Sequence, residues 1–196
     1  ELEDMVELTE KLGVSSMKFN PVNGVGRGKS LQEKGEGFDF DETLALVRYI
    51  NNELQQKTDM PLFVMLPPAL LSVKELLRKG SHGGTCGVIG VLGILGTGEM
   101  ALCGIGRTVS ELCFGILGKD DLKEVWCNHP KLIALREGFS NKFPGVCGNC
   151  IHSSRCLMHC VAQNYVENGE LISPDPMCIE AEKRGMFPST RRRVNN

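Results

Sequence analysis

The sequence predicts an α/β layer over its first 80 residues and a small, cysteine-rich α+β region after it. Two observations support this fold class. In the first part, apolar patterns of helical and strand type alternate as helix, strand, helix, strand and helix, which is the order found in a parallel α/β layer. In the second part, cysteines recur at short spacings among glycine-rich and short helical stretches. The first part has too few units to close a barrel.

The first two helices and the strands have clear local signals. Apolar residues recur at helical spacing over residues 2–12, and residues 14–19 form a strand candidate. Asp39 and Glu42 make a capping pair that predicts the start of a second helix. Residues 61–66 are predicted to form a second strand. We therefore expect two strands that are joined by a helical crossover.

A third helix is predicted to begin at Pro67 and Pro68, because proline is favoured in the first helical turn. Gly80 is expected to end it. Its buried face is predicted to hold four apolar residues: Leu70, Val73, Leu76 and Leu77.

Composition limits the classes of function. The chain has 196 residues, 41% of them hydrophobic, and a formal net charge of -2. Because a near-neutral chain without a basic stripe does not attract a phosphate backbone, nucleic acid is not an expected partner. The odd number of cysteines argues against a disulfide scaffold, and no leader sequence is evident. We expect a cytoplasmic protein.

Residues 83–98 carry no charge, but they are too few for a membrane-spanning helix, which needs about 20 apolar residues. Glycine also stands at every third position from Gly84 to Gly96, which weakens a helix. We interpret the stretch as closely packed backbone around a buried site. Gly98 is expected near a turn between two strands that carry Cys86 and Cys103.

Seven of the nine cysteines form a spaced pattern. Thiolates at such spacings, outside a paired-cysteine framework, are typical soft ligands for iron or zinc. Seven ligands exceed the need of one tetrahedral ion, so the number indicates two metal centres. The pattern is Cys86-x11-Gly98-x4-Cys103, then Cys147-x2-Cys150-x5-Cys156-x3-Cys160, then Cys178.

This pattern resembles the SPASM domain, the C-terminal extension of many radical S-adenosylmethionine enzymes. The likeness extends over roughly residues 81–188, through Gly-Ile-Gly-Arg at 104–107 to Phe187-Pro188. It implies that residues 1–80 are the last βα units of a partial, TIM-like parallel barrel. Residues 81–188 would then form the SPASM domain, with a β-hairpin and short helices, and residues 189–196 a solvated basic tail.

The resemblance also implies the ligand sets. Cys147, Cys150, Cys156 and Cys178 would hold one auxiliary iron–sulfur cluster, and Cys86, Cys103 and Cys160 the other. Both are expected to be four-iron clusters. Residues 87–102 contain no further cysteine, so the first cluster lacks a fourth thiol. Either Cys113 supplies it or the position is open or not a cysteine, and the second option is favoured because Cys113 lies in a strand-like run.

In this family S-adenosylmethionine and a third four-iron cluster bind in the barrel, on a Cys-x3-Cys-x2-Cys loop that the sequence does not contain. The resemblance thus implies a longer parent enzyme that modifies a peptide or protein, with a small redox protein as electron partner. This chain alone is expected to hold no catalytic residue and not to cleave S-adenosylmethionine. Its glycine-rich segment, with Asn20, Gly24 and Gly26, is similar to a loop near that cofactor, and the alternative, which is favoured, is a flexible loop without that role.

Two other classes compete with this interpretation. Zinc bound by Cys147, Cys150, Cys156 and Cys160 would make the chain a structural or interaction module. A freestanding iron–sulfur electron carrier is the other, although it leaves residues 1–80 without a purpose.

For several residues, a structural role without metal binding is the alternative interpretation. His152 and His159 flank ligand cysteines and can donate to a cluster or replace a ligand, whereas the plain alternative is a solvent-facing turn residue. Cys127 reads as a free buried thiol.

Overall fold

The computed structural model describes residues 1–77, 86–140 and 143–194. The first part contains α1 (Leu2–Lys11), β1 (Met17–Phe19), α2 (Arg27–Glu33), α3 (Phe40–Asn52), β2 (Leu62–Val64) and α4 (Val73–Leu76). The second part contains β3 (Gly93–Ile94), β4 (Glu99–Ala101), β5 (Cys113–Ile116), α5 (Leu122–Asn128), α6 (Pro130–Ser140), α7 (Gly145–Gly148), α8 (Ser153–Cys156), α9 (Val161–Asn168) and α10 (Pro176–Lys183). The predicted boundary between residues 80 and 81 lies outside the described residues.

In the first part, β1 and β2 pair in parallel, with Met17 opposite Leu62. Parallel strands need a crossover connection. Ile50 of α3 and Leu54 of the 3-10 turn that follows it pack in one core with Leu62. The predicted elements α1, β1, α3 and β2 follow one another in the predicted order, and α2, which was not predicted, lies between β1 and α3. The described strands form a two-stranded parallel sheet and a three-stranded antiparallel sheet.

The capping pair of α3 is also confirmed. The backbone N–H of Glu42 donates to Asp39 Oδ1 at 2.8 Å, and the backbone N–H of Asp39 donates to Glu42 Oε2 at 2.9 Å. Two of the backbone donors left free at a helix start are satisfied in this way. The carboxylates of the first turn also suit the positive end of the helix dipole.

The prediction that the third helix starts at Pro67 and Pro68 is wrong. These prolines lead into a single 3-10 turn, and the chain then becomes extended at Leu71, with ψ of 147°. The α-helix starts only after Ser72, whose side chain accepts from the backbone N–H of Glu75 in a second capping box. The α-helix is one turn long and holds no buried residue, and two of the four apolar residues predicted to be buried are exposed: Val73 (56%) and Leu77 (79%). Gly80 lies outside the described residues.

The antiparallel sheet has the order β3–β4–β5. Gly98 is at the turn between β3 and β4, as predicted, with φ of 91°, a conformation that favours glycine. Cys86 and Cys103, however, do not lie on these strands. The register that pairs Gly93 with Ala101 ends the ladder before Cys103, and Cys86 precedes a 3-10 turn at Val88–Gly90.

The main core of the second part lies between β4, β5 and α6 and α9. Its fully buried side chains include Met100, Leu112, Leu135 and Val161. Cys86, Cys103 and Cys160 pack against this cluster at its edge. One side of each of these thiols therefore rests on a well-packed apolar wall.

The predicted basic tail is exposed at Arg193 but only half-exposed at Arg191 and Arg192, and its arginines are docked on the protein. The Arg191 guanidinium donates to the carbonyl of Leu71 at 3.0 Å, and that of Arg193 donates to Ser153 Oγ at 2.8 Å. The backbone N–H of Ile151 donates to the Arg191 carbonyl at 2.9 Å. The sequence could not show this docking, because backbone pairing between segments 40 residues apart leaves no local pattern.

Candidate metal centres

Four thiols line one cavity in the second part of the chain. Three of them, Cys147, Cys150 and Cys178, are buried, and Cys156 is half-buried. They come from α7, from the turn after it, and from α8 and α10. We call these four residues the four-thiol set. The rest of the cavity wall is Pro67, Ala69, Val146, His152, Ser153, Met158 and Phe187.

Within the four-thiol set, neighbouring thiols raise the pKa of Cys147, Cys156 and Cys178. Burial, followed by the neighbouring thiols and Asp175, raises the pKa of Cys147 and of Cys156 to about 12. Burial also strongly raises the pKa of Cys178, with contributions from Asp175 and the other three thiols. Because a thiolate is costly in such surroundings, these groups are protonated at neutral pH unless a cation replaces the protons.

Cys86, Cys103 and Cys160 form a second group, the three-thiol set. Burial raises the pKa of Cys160, and after a backbone hydrogen bond that acts in the opposite direction, Cys86 and Cys103 raise it further. Burial likewise raises the pKa of Cys86, and Cys103 adds to the effect. The structure thus groups Cys160 with Cys86 and Cys103, and places Cys178 with the other four-thiol residues.

Backbone N–H groups point at the sulfurs of both sets. The N–H of His152 donates to Cys150 Sγ at 3.4 Å. Further backbone hydrogen bonds favour the thiolate form at four other cysteines; they run from Val88 to Cys86, Asp175 to Cys147, His159 to Cys156 and Gln163 to Cys160. Hydrogen bonds of this kind stabilise a metal-bound thiolate and influence the potential of an iron–sulfur centre.

Asp175 is a buried carboxylate that interacts with cysteines of both sets. Asp175 is 3% exposed, and its Oδ2 lies 2.8 Å from Nδ1 of His159, which is 7% exposed. Its other oxygen, Oδ1, accepts from the backbone N–H of Met177 and so caps α10. The carboxylate also raises the pKa of Cys160 in one set and of Cys178 in the other. The plain interpretation of His159 as a solvent-facing residue is wrong.

Asp175 was missed as a candidate from the sequence. Its signal is nevertheless present, because Asp175 is followed by Pro176 and then by a helical stretch, a typical helix start. That signal predicts the cap. The second role of the carboxylate, beside the thiols, follows only from the folding of residues 147–160 against α10.

Three consecutive left-handed residues separate the two sets. Leu157, Met158 and His159 have φ values of 49°, 62° and 66°, and none is glycine. Each costs about 1–2 kcal/mol relative to a right-handed conformation. The turn joins Cys156 of the four-thiol set to Cys160 of the three-thiol set, so this strained backbone places two cysteines that are close in sequence in different sets.

Cys113 and Cys127 do not line the cavity of the four-thiol set. Cys113 is on β5 opposite Ala101, and burial, followed by Glu99, raises its pKa. Cys127, on α5, is exposed, so its prediction as a buried thiol is wrong. Among the described cysteines, those that raise the pKa of Cys160 and of Cys86 belong to the three-thiol set.

The glycine-rich loop borders a cleft of about 620 Å³ between the two parts of the chain. Asn20 and Gly24 line this cleft together with His159 and Cys160. Gly26 begins α2 in the left-handed region, with φ of 60°, where an added Cβ would lie 3.0 Å from Thr108 Cγ2. The predicted cofactor loop and the edge of the three-thiol set therefore open onto the same space.

Within the described residues, no three His, Cys, Asp or Glu side chains lie so as to hold a single metal ion. The four-thiol set is defined by its shared cavity. In both sets, the thiols also raise the pKa of their neighbours. None of the helices that the structure describes is long and apolar enough to span a membrane.

Comparison with protein-family models, with characterised proteins and with solved structures finds no match to this chain.

Proposed function

We propose that this chain holds two auxiliary iron–sulfur clusters, as the SPASM-containing region of a radical S-adenosylmethionine enzyme that modifies a peptide or protein. The observation that supports the proposal is the sorting of seven cysteines into a four-thiol set and a three-thiol set. The same division is what the sequence resemblance implies. Two sets of buried and half-buried thiols with N–H donors fit the chemistry of iron–sulfur ligation.

In this proposal the four-thiol set, Cys147, Cys150, Cys156 and Cys178, is the complete ligand set of one cluster. Cys86, Cys103 and Cys160 hold the other, and its fourth position is not a cysteine. Bound clusters of this kind supply one-electron transfer, with potentials set by charge, hydrogen bonds and exposure. The apolar cavity wall excludes water from the four-thiol set, and the Asp175 carboxylate adds negative charge near both sets.

The cleft that contains Asn20, Gly24 and Cys160 fits the approach of substrate to the three-thiol set. Its polar lining includes amide groups, such as Asn23 and Gln163, which can pair with a peptide backbone. We place the cleavage of S-adenosylmethionine in a longer parent enzyme, with a small redox protein as electron partner and the cytoplasm as compartment.

A zinc-stabilised module is the second candidate, because the four-thiol set has the number and type of ligands that structural zinc takes. Four thiols are also a complete tetrahedral zinc set. In this structure such a set would include Cys178, not the Cys160 that the sequence spacing suggests. The three-thiol set would then have no role.

Metal analysis of protein purified without oxygen separates the two candidates. We expect about eight irons and a matching amount of acid-labile sulfide per chain, since each four-iron cluster contributes four. About one zinc per chain without sulfide would contradict the proposal and support the zinc module.

A further inference from the structure

His152 belongs to the wall of the cavity that the four thiols line. It stands directly before α8, and its backbone N–H donates to Cys150 Sγ. The side chain is half-buried. Its Nε2 atom, however, is fully buried and has no hydrogen-bond partner in the part of the chain that the structure describes.

A buried polar atom without a partner costs about 1–3 kcal/mol, so it calls for an explanation. Most side chains of the cavity wall are apolar. The Ser153 hydroxyl already donates to the Cys150 carbonyl at 3.0 Å and accepts from Arg193. The remaining side-chain acceptors in the wall are the sulfurs of the four-thiol set and the thioether of Met158, which is a weaker acceptor.

We infer that the Nε2–H of His152 donates a hydrogen bond to a sulfur of the cluster held by the four-thiol set, and that this bond favours the reduced cluster. The inference rests on the proposed function. Thiolate and sulfide sulfurs are acceptors, so the neutral imidazole with its proton on Nε2 suits this position. Reduction adds negative charge to the sulfurs, and a hydrogen bond to a more negative acceptor is stronger.

Substitutions at His152 separate a hydrogen-bond donor from a mere filler of space. His152→Gln places an amide N–H close to the position of Nε2, whereas the amide of His152→Asn is too short to reach it. His152→Leu removes the donor. All are made in a chain that also carries Cys86→Ala and Cys103→Ala, so that only the four-thiol set holds a cluster, and circular dichroism checks that each variant is folded.

The readout is the ratio of reduced to oxidised cluster at a fixed solution potential, followed by electron paramagnetic resonance during titration with dithionite. We expect His152→Leu and His152→Asn to lower this ratio by about three- to tenfold, as the loss of one charge-assisted hydrogen bond would do. His152→Gln should restore most of it. His129→Leu, which removes an imidazole that packs on Phe114 at 4.7 Å between ring centres, should leave the ratio unchanged.

An unchanged ratio in His152→Leu, with the cluster fully loaded, would overturn the inference. If the leucine variant holds no iron, equal ratios in the glutamine and asparagine variants would overturn it instead. A wild-type chain that binds no iron would contradict the proposed function itself. The two failures are therefore distinguishable.

Discussion

Burial raises the pKa of two thiols in the four-thiol set, the buried Cys147 and the half-buried Cys156. The pKa of Cys147 and of Cys156 is raised to about 12 from an ordinary value of 9.0. In the metal-free protein these thiols therefore keep their protons at neutral pH. Because metal ligation requires thiolates, binding of a metal must displace protons.

This protonation predicts how stability depends on pH. A raised pKa contributes stability that is fully present below the unfolded value and is lost above it. The free energy of unfolding of the metal-free chain should thus be flat below pH 9 and fall above it, by up to about 1.4 kcal/mol per pH unit for each thiol. Chemical denaturation between pH 8 and pH 11 measures the slope. A free energy that stays constant over this range would contradict the burial of these thiols.

The two remaining cysteines test the assignment of the sets. We predict that Cys113→Ser and Cys127→Ser each retain the full iron content of the wild type, because neither thiol belongs to a set. Iron and sulfide analysis checks both variants. Loss of iron in Cys113→Ser alone would identify Cys113 as the fourth ligand of the three-thiol set.

At the scale of elements, the start of α10 combines a structural and an electrostatic role. Asp175 caps this helix, and its buried carboxylate holds the His159 imidazole. Asp121 caps α5 in a similar way, through the backbone N–H of Glu124 at 2.7 Å, but it is exposed. Both aspartates cap a helix start, but Asp175 is buried and Asp121 is exposed. Asp121 is therefore the control for Asp175.

Asp175→Ala should lower the free energy of unfolding by about 2–4 kcal/mol, since it removes a cap and leaves a buried imidazole without its partner. Asp121→Ala should cost only about 1 kcal/mol. Denaturant titration of the metal-free protein gives both values. Equal effects would mean that the buried pair with His159 adds nothing to stability.

The sequence predicted those elements whose signals are local. Asp39 and Glu42 marked the start of α3, and the position of Gly98 marked a turn, because capping and left-handed conformations depend on neighbouring residues. It missed α2, whose residues 27–33 (RGKSLQE) show no apolar stripe. For the centres, the sequence supplied the cysteines and the resemblance their division, but Asp175 and the docked arginines required the folded chain.

At the scale of the whole molecule, the C-terminal segment closes the region around the four-thiol set. Arg191 reaches Leu71 in the first part of the chain, and the backbone N–H of Arg193 donates to the Asn149 carbonyl at 2.7 Å, beside Cys150. This segment thus ties the α/β part to the loop that carries the ligands. Its removal should open that loop to solvent.

We predict that a chain ending at residue 188 releases iron to a chelator several-fold faster than the full chain. The release should concern the four-thiol set, because the docked arginines contact its loop. A chain ending at residue 194, which keeps all three arginines, is the control. Identical release rates from the two shortened chains would show that the docking does not protect the centre.

The central claim, that the cysteines serve two separate centres, is tested most directly by removing one set at a time. We predict that Cys86→Ala/Cys103→Ala and Cys147→Ala/Cys178→Ala each retain about four irons with matching sulfide, half the content of the wild type. Each should also show a different paramagnetic resonance signal after reduction. Loss of all iron in both double variants, or full retention in either, would contradict the division into a three-thiol set and a four-thiol set.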